Sequence, residues 1–268
     1  MLRTRVLTAA ALLAGFAGAV YFLDRLQFAA LIGLVIAIAA HEWARLSGLR
    51  GAPRWSYAAG CVLLYAALVW MVEQQSGPSW LGPAVFIAAS VFWLVVVPAW
   101  FWAGVGARGR ILLPPAGLIV LLPTALSLVT LSGAQMLAVF GLIWVSDTAA
   151  YFVGRAWGRR KLASSISPGK TWEGVAGAVI ATQIYAIIVS GLSSADSGPP
   201  LVAYLGGAAL LCGLGILGDL FESAVKRQAA VKDSGTLLPG HGGILDRIDS
   251  ATASLPSAAL LIHWTAIA

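Results

Sequence analysis

This sequence predicts an all-α, polytopic membrane protein of about nine transmembrane helices with a polar cavity at the cytoplasmic side, and three observations carry that prediction. Only 10% of the residues are Asp, Glu, Lys or Arg while 59% are apolar, and the mean hydropathy is +0.87. A soluble domain holds about 25% charged residues, so this chain lacks the polar groups to cover a globule in water. The apolar residues also run in long stretches instead of alternating, which selects helices over a barrel for satisfying backbone groups in lipid. Finally, if the spans alternate from a cytoplasmic amino terminus, sixteen of the seventeen basic residues fall on the cytoplasmic side, with Arg25 the exception.

The apolar stretches are 6–23, 26–44, 57–73, 82–104, 111–131, 134–154, 173–192, 201–221 and 251–267. Each is close to the ~20 residues that cross a bilayer core. The first follows Arg3 and Arg5 and is rich in Ala and Gly, like a secretory signal, but further apolar stretches follow at once, so it is expected to stay as a span. The second ends in His41, Glu42, Trp43, Ala44 and Arg45, where Arg45 occupies the place of the second His of a zinc-protease HExxH. No zinc is expected there; Glu42 is expected to pair with Arg45 one turn along, with a supporting part in an active site as the other use of this acid. Residues 1–104 otherwise read as scaffold, and 1–268 as a single membrane domain without repeats. Trp55, Trp80, Trp100, Trp102, Trp157 and Trp172 fall near span ends, as in an interfacial aromatic belt. Pro114 and Pro115 predict a late start or a kink in the fifth span. Cys61 and Cys212 lie inside spans with no CxxC or His nearby and read as small packing residues. The net charge of +6 has no aromatic-interleaved basic domain to go with it, which excludes nucleic acid as the partner.

Polar chemistry concentrates in 105–268, and most of all in 223–249, where seven of the twenty-eight charged residues stand. Carboxylates inside apolar spans are expensive, so each is a functional candidate. Asp147 is one, two turns before Arg155. Asp219 is another, and Glu222, Ser223 and Lys226 follow it at offsets of three, four and seven, on one helical face. That face offers acids for a cation and an ammonium for a phosphate. Pro239, Gly240, Gly242 and Gly243 around His241 forbid a continuing helix and let backbone N–H groups turn toward an anion. Asp246 and Asp249, three apart, then enter the ninth span opposite Asp219, a donor set suited to a hard divalent ion that keeps waters and takes phosphate ligands. In the loop before the seventh span, Ser167 and Lys170 stand beside a helix amino terminus, and both the lysine and the terminus favour phosphate. Arg159, Arg160 and Lys161 read as topology signals or contacts to anionic lipid.

Taken together, Ser223, Val225, Lys226, Arg227, Lys232, Asp233, Gly235, Pro239, His241, Gly242, Gly243, Asp246, Arg247 and Asp249 resemble, without a gap, the carboxy-terminal signature of the phosphatidate cytidylyltransferase (CDP-diacylglycerol synthase) family. The resemblance extends to 144–155, 167–174 and 218–223, and more weakly to 41–46. It implies an all-helical, dimeric membrane protein of the bacterial inner membrane, with its active site facing the cytoplasm. The implied reaction joins CTP to phosphatidate, gives CDP-diacylglycerol and pyrophosphate, and needs Mg²⁺, with Asp219 and Asp246 as metal ligands and room for a second cation.

The residues suit that reaction independently. A phosphate monoester has a second pKa of about 6, so the lipid nucleophile is already ionised and no strong base is demanded. His241 is therefore expected to bond the pyrophosphate or an α-phosphate oxygen, with base catalysis second. Asp249, Asp147 and Glu222 complete the acidic set, Lys226, Arg227, Lys232, Lys170 and Arg247 the basic one, with Asp233 beside Lys232 in the catalytic segment. A CTP-dependent lipid kinase is the nearest rival, and would move the γ-phosphoryl group. A transporter would need carboxylates near the bilayer midplane, whereas these gather at one face.

Overall fold

The computed structural model describes residues 11, 14–73, 77–104, 111–192, 199–237 and 242–267. Residues 14–22 are helical, and eight full helices follow: α1 (Arg25–Leu46), α2 (Ala52–Glu73), α3 (Leu81–Ala103), α4 (Leu113–Thr130), α5 (Gly133–Trp157), α6 (Trp172–Leu192), α7 (Leu201–Gln228) and α8 (Leu245–Ile267). Local chemistry sets their ends. Asp24 and Gln27 form a reciprocal capping box on α1, and Ser132 and Gln135 repeat it on α5. Pro114 and Pro115 occupy the first turn of α4, where a missing N–H does no harm, so the prolines mark a start. Within α3 the backbone widens to a π-turn at Phe92–Val96.

α1 to α7 are long and apolar enough to cross a membrane, seven of the nine expected spans. The first expected span is described only in part. The ninth is a helix, α8, but it does not reach the apolarity of the others, and its position explains why. α8 packs against α7, α4, α3, α5 and α1, and its residues 250–260 are buried by protein. Surrounded this way, it is joined to its neighbours by hydroxyls: its Ser254 Oγ donates to Leu211 O at 3.0 Å, its Thr252 carbonyl accepts from Thr124 Oγ1 of α4 at 3.2 Å, and its Ser257 meets Ser90 at 3.1 Å. Its first turn also starts six residues before the expected span, at Leu245.

One element departs from the all-helical expectation. Lys161–Ala163 (β1) and Ser167–Thr171 (β2) form a small antiparallel hairpin between α5 and α6. The two helices it joins pack closely because glycines line the seam; a Cβ on Gly174 would stand 2.8 Å from Ala150 O. Five of the six expected belt tryptophans are well exposed, but Trp100 turns inward onto Phe221 at 5.5 Å between ring centroids. Trp43, Phe92, Trp93 and Phe101 complete an aromatic collar around Phe221, which is 1% exposed. That collar fixes the rotation of α7, and with it the face carrying Asp219, Ser223 and Lys226.

Candidate active site

A cavity of about 870 Å³ opens where α5, the hairpin, α6, α7 and the start of α8 converge. Asp147, Ser167, Lys170, Asp219, Ser223, Lys226, Arg227, Lys232, Asp233, Asp246, Arg247 and Asp249 all line it. Glu222 sits behind Lys226, Gly242 and Gly243 form the turn before α8, and His241 lies outside the described residues. The α7 face therefore brings Asp219, Ser223 and Lys226 to one place, together with acids and bases as distant in sequence as Asp147, more than 70 residues before them.

The cavity has a buried layer. Lys226 Nζ lies 2.6 Å from Asp246 Oδ1 and 3.2 Å from Glu222 Oε1, with the lysine side chain 11% exposed and both acids 5%. The other Asp246 oxygen, Oδ2, accepts from Ser234 N, Ser234 Oγ and Gly243 N, each at 2.8 Å. Gly242 makes this possible with a left-handed backbone, φ +81°, and a Cβ there would press on Asp246 Oδ2 at 2.5 Å. Below stands Glu42, 5% exposed, whose carboxylate accepts from Ile244 N at 3.1 Å, Leu245 N at 3.0 Å and Ser234 Oγ at 3.0 Å.

The expected pairing of Glu42 with Arg45 is thus corrected. Glu42 binds the amino terminus of α8, while the Arg45 guanidinium donates to the carbonyls of Asp233 (3.1 Å) and Ser234. A carboxylate gains more from convergent N–H groups at a helix start than from one flexible guanidinium. Sequence reasoning also missed Ser234, although a hydroxyl inside an acid- and lysine-rich segment was the available signal.

An outer layer is more open. Lys170 Nζ, on β2, is 2.7 Å from Asp219 Oδ2, with the side chains 23% and 31% exposed. Ser223 Oγ donates to Asp219 Oδ1 at 3.3 Å. Asp147, Asp219 and Asp249 stand close enough to feel each other's charge. Arg227 reaches Ile166 O at the hairpin tip (3.4 Å) and Val231 O (3.3 Å). Glu173 accepts from the backbone N–H groups of Arg159 and Arg160, holding the hairpin base against the start of α6.

Among the described residues no three His, Cys, Asp or Glu side chains form a closed metal cage. The donor set nonetheless fits Mg²⁺, which is usually bound by one or two carboxylates with waters and substrate phosphates completing the shell. Among the described residues, Asp219 is held by Lys170 and the Ser223 hydroxyl. Asp246 is saturated at Oδ2 but retains acceptor capacity at Oδ1 beyond Lys226.

Ammonium, guanidinium and carboxylate groups share one cavity at the end of helices long and apolar enough to cross a membrane. The model of the cytidylyltransferase family matches residues 3–265, and the chain belongs to that family. It is an enzyme, a nucleotidyltransferase. The chain is 40% identical to the phosphatidate cytidylyltransferase of Pseudomonas aeruginosa over 99% of its own length and 98% of that protein. It is 46% identical to the Haemophilus influenzae protein of the same name over 45% of this chain and 43% of the relative, and 47% identical to that of Bacillus subtilis over 43% and 42%.

Proposed function

We propose that this enzyme joins CTP to phosphatidate, forming CDP-diacylglycerol for phospholipid biosynthesis and releasing pyrophosphate. The observation that carries the reading is the cavity lining: Lys170, Lys226, Arg227, Lys232 and Arg247 share it with five aspartates beside apolar helices, so two polyanions and a cation have partners in one place. The full-length likeness to a phosphatidate cytidylyltransferase supports the choice of substrates.

In the proposed reaction an ionised oxygen of the lipid phosphate attacks the α-phosphorus of CTP. The bond from that phosphorus to the bridging oxygen breaks, and pyrophosphate leaves with the electron pair. Bringing two anions together is the main barrier, which fixed positive groups and positioning lower directly. Lys170, at the open rim, exchanges Asp219 for a phosphate oxygen. Lys232 and Arg247 bind the nucleotide phosphates with Ser167, Ser223 and the Gly242–Gly243 turn, and His241 bonds the pyrophosphate or an α-phosphate oxygen. Asp219 and Asp246, with Asp249 or Asp147 nearby or at a second cation, would hold Mg²⁺, which would supply polarisation of the α-phosphate and offset charge on the leaving group. The positive-inside asymmetry supports a cavity facing the cytoplasm across a bacterial inner membrane. Membrane lipid surrounds the spans, and the proposed assembly is a homodimer, read by its mass in detergent.

CTP labelled at the α- or the γ-phosphorus tests the reaction. Incubated with phosphatidate and Mg²⁺, the α label should enter the lipid fraction and the γ label should leave as pyrophosphate. Entry of the γ label into lipid would replace this reading with a lipid kinase.

A further inference from the structure

Glu42 has no part in the reaction as described, yet its buried carboxylate accepts from two backbone N–H groups and a hydroxyl. It is 5% exposed near the end of α1, and every side-chain hydrogen bond it makes among the described residues goes to residues 234–245, about 200 positions away. A helix amino terminus is ordinarily capped by a residue just ahead of it. Here a distant carboxylate takes the N–H groups of Ile244 and Leu245 instead. Two glycines accommodate it: a Cβ at Gly235 or at Gly243 would run into the Glu42 carboxylate. The Ser234 hydroxyl lies 3.0 Å from Glu42 and 2.8 Å from Asp246. With one proton, it donates to one of the two carboxylates at a time and stands between them.

We infer that Glu42 is a positioning residue for the active site: it fixes the Ser234 hydroxyl and the first amides of α8, so that Asp246 is held facing Lys226. Arg45 reinforces the arrangement from the same helix by holding the carbonyls of Asp233 and Ser234. The inference rests on the reaction proposed above only for what Asp246 does, not for how it is held.

The test compares purified wild type with Glu42→Gln and Glu42→Ala in detergent, reading hydrogen exchange at Ile244 and Leu245, the melting temperature, and turnover of α-labelled CTP into lipid per folded molecule. Glu42→Ala should expose both amides and lower kcat by about 10²-fold, the scale of an ångström-sized misplacement of a reacting group. Glu42→Gln should fall between, because its amide keeps one acceptor and can donate to Ser234, and it carries the test if the alanine variant does not fold. Folded variant that turns over at the wild-type rate, with activity lost only in proportion to unfolding, would reduce Glu42 to a structural residue and overturn the inference. Wild type that labels no lipid would overturn the reaction instead. The exchange measurement then decides this inference alone, and unchanged protection at Ile244 and Leu245 in both variants would contradict it.

Discussion

Lys170 with Asp219 and Lys226 with Asp246 are the same two chemical groups at nearly the same distance, 2.7 and 2.6 Å, in one cavity. Their surroundings differ. Asp246 is 5% exposed, has a second acid across its lysine and takes three further hydrogen bonds on Oδ2, whereas Lys170 and Asp219 are 23% and 31% exposed and the aspartate has one hydroxyl besides. Breaking a buried pair strands a charge at a cost of about 3–5 kcal/mol, while a solvent-facing pair contributes about 0–1 kcal/mol. In the proposed reaction the buried cluster holds the site in shape, and the open pair trades partners with substrate.

Asp246→Asn should have the largest effect. Its amide nitrogen would face either the Lys226 ammonium or the three donors at Oδ2, so a donor meets a donor in both orientations. Transfer of α label should disappear, and unfolding in detergent should show a loss of about 3–5 kcal/mol. Lys226→Met follows closely, because it leaves Glu222 and Asp246 buried without their cation. Adding Glu222→Gln to it should restore part of the stability and none of the activity; recovery of both would mean that Lys226 serves only the fold. Ser234→Ala removes a hydroxyl that donates to one of two buried carboxylates and should cost about 1.5–3 kcal/mol in the same unfolding measurement. Lys170→Ala should leave stability within about 1 kcal/mol of wild type. Turnover should still drop by about 10²-fold, the loss typical of removing one preorganised charge partner of the transition state. A large loss of stability in this variant would erase the distinction between the two pairs.

How much of this was legible in the sequence follows from how local each signal is. Lipid imposes a span length of about 20 residues, so the seven helices from α1 to α7 stood out as apolar stretches. α8 was placed late because apolarity was its only marker, and Leu245 to Ser250 form a polar first turn inside the protein. The hairpin left no trace: β1 is three residues long and its partner contains Pro168 and Gly169, so neither shows an alternating pattern. Offsets of three, four and seven put Asp219, Glu222, Ser223 and Lys226 on one face because the helix repeat is local. Glu42 was misassigned for the converse reason. Arg45 was near in sequence, while its actual partners are about 200 residues away and two of them are backbone N–H groups that every residue shares.

Thermal unfolding in detergent, with and without CTP and Mg²⁺, sets the two pairs against each other most directly, since a ligand that binds only the folded protein raises its melting temperature. Lys170→Ala should melt where wild type does without ligand and lose most of the ligand-induced rise, whereas Ser234→Ala should melt lower without ligand and keep much of it. If Lys170→Ala instead lowered the unliganded melting point as far as Ser234→Ala and kept the full rise with CTP, the open pair would be part of the frame and the division of labour would be wrong.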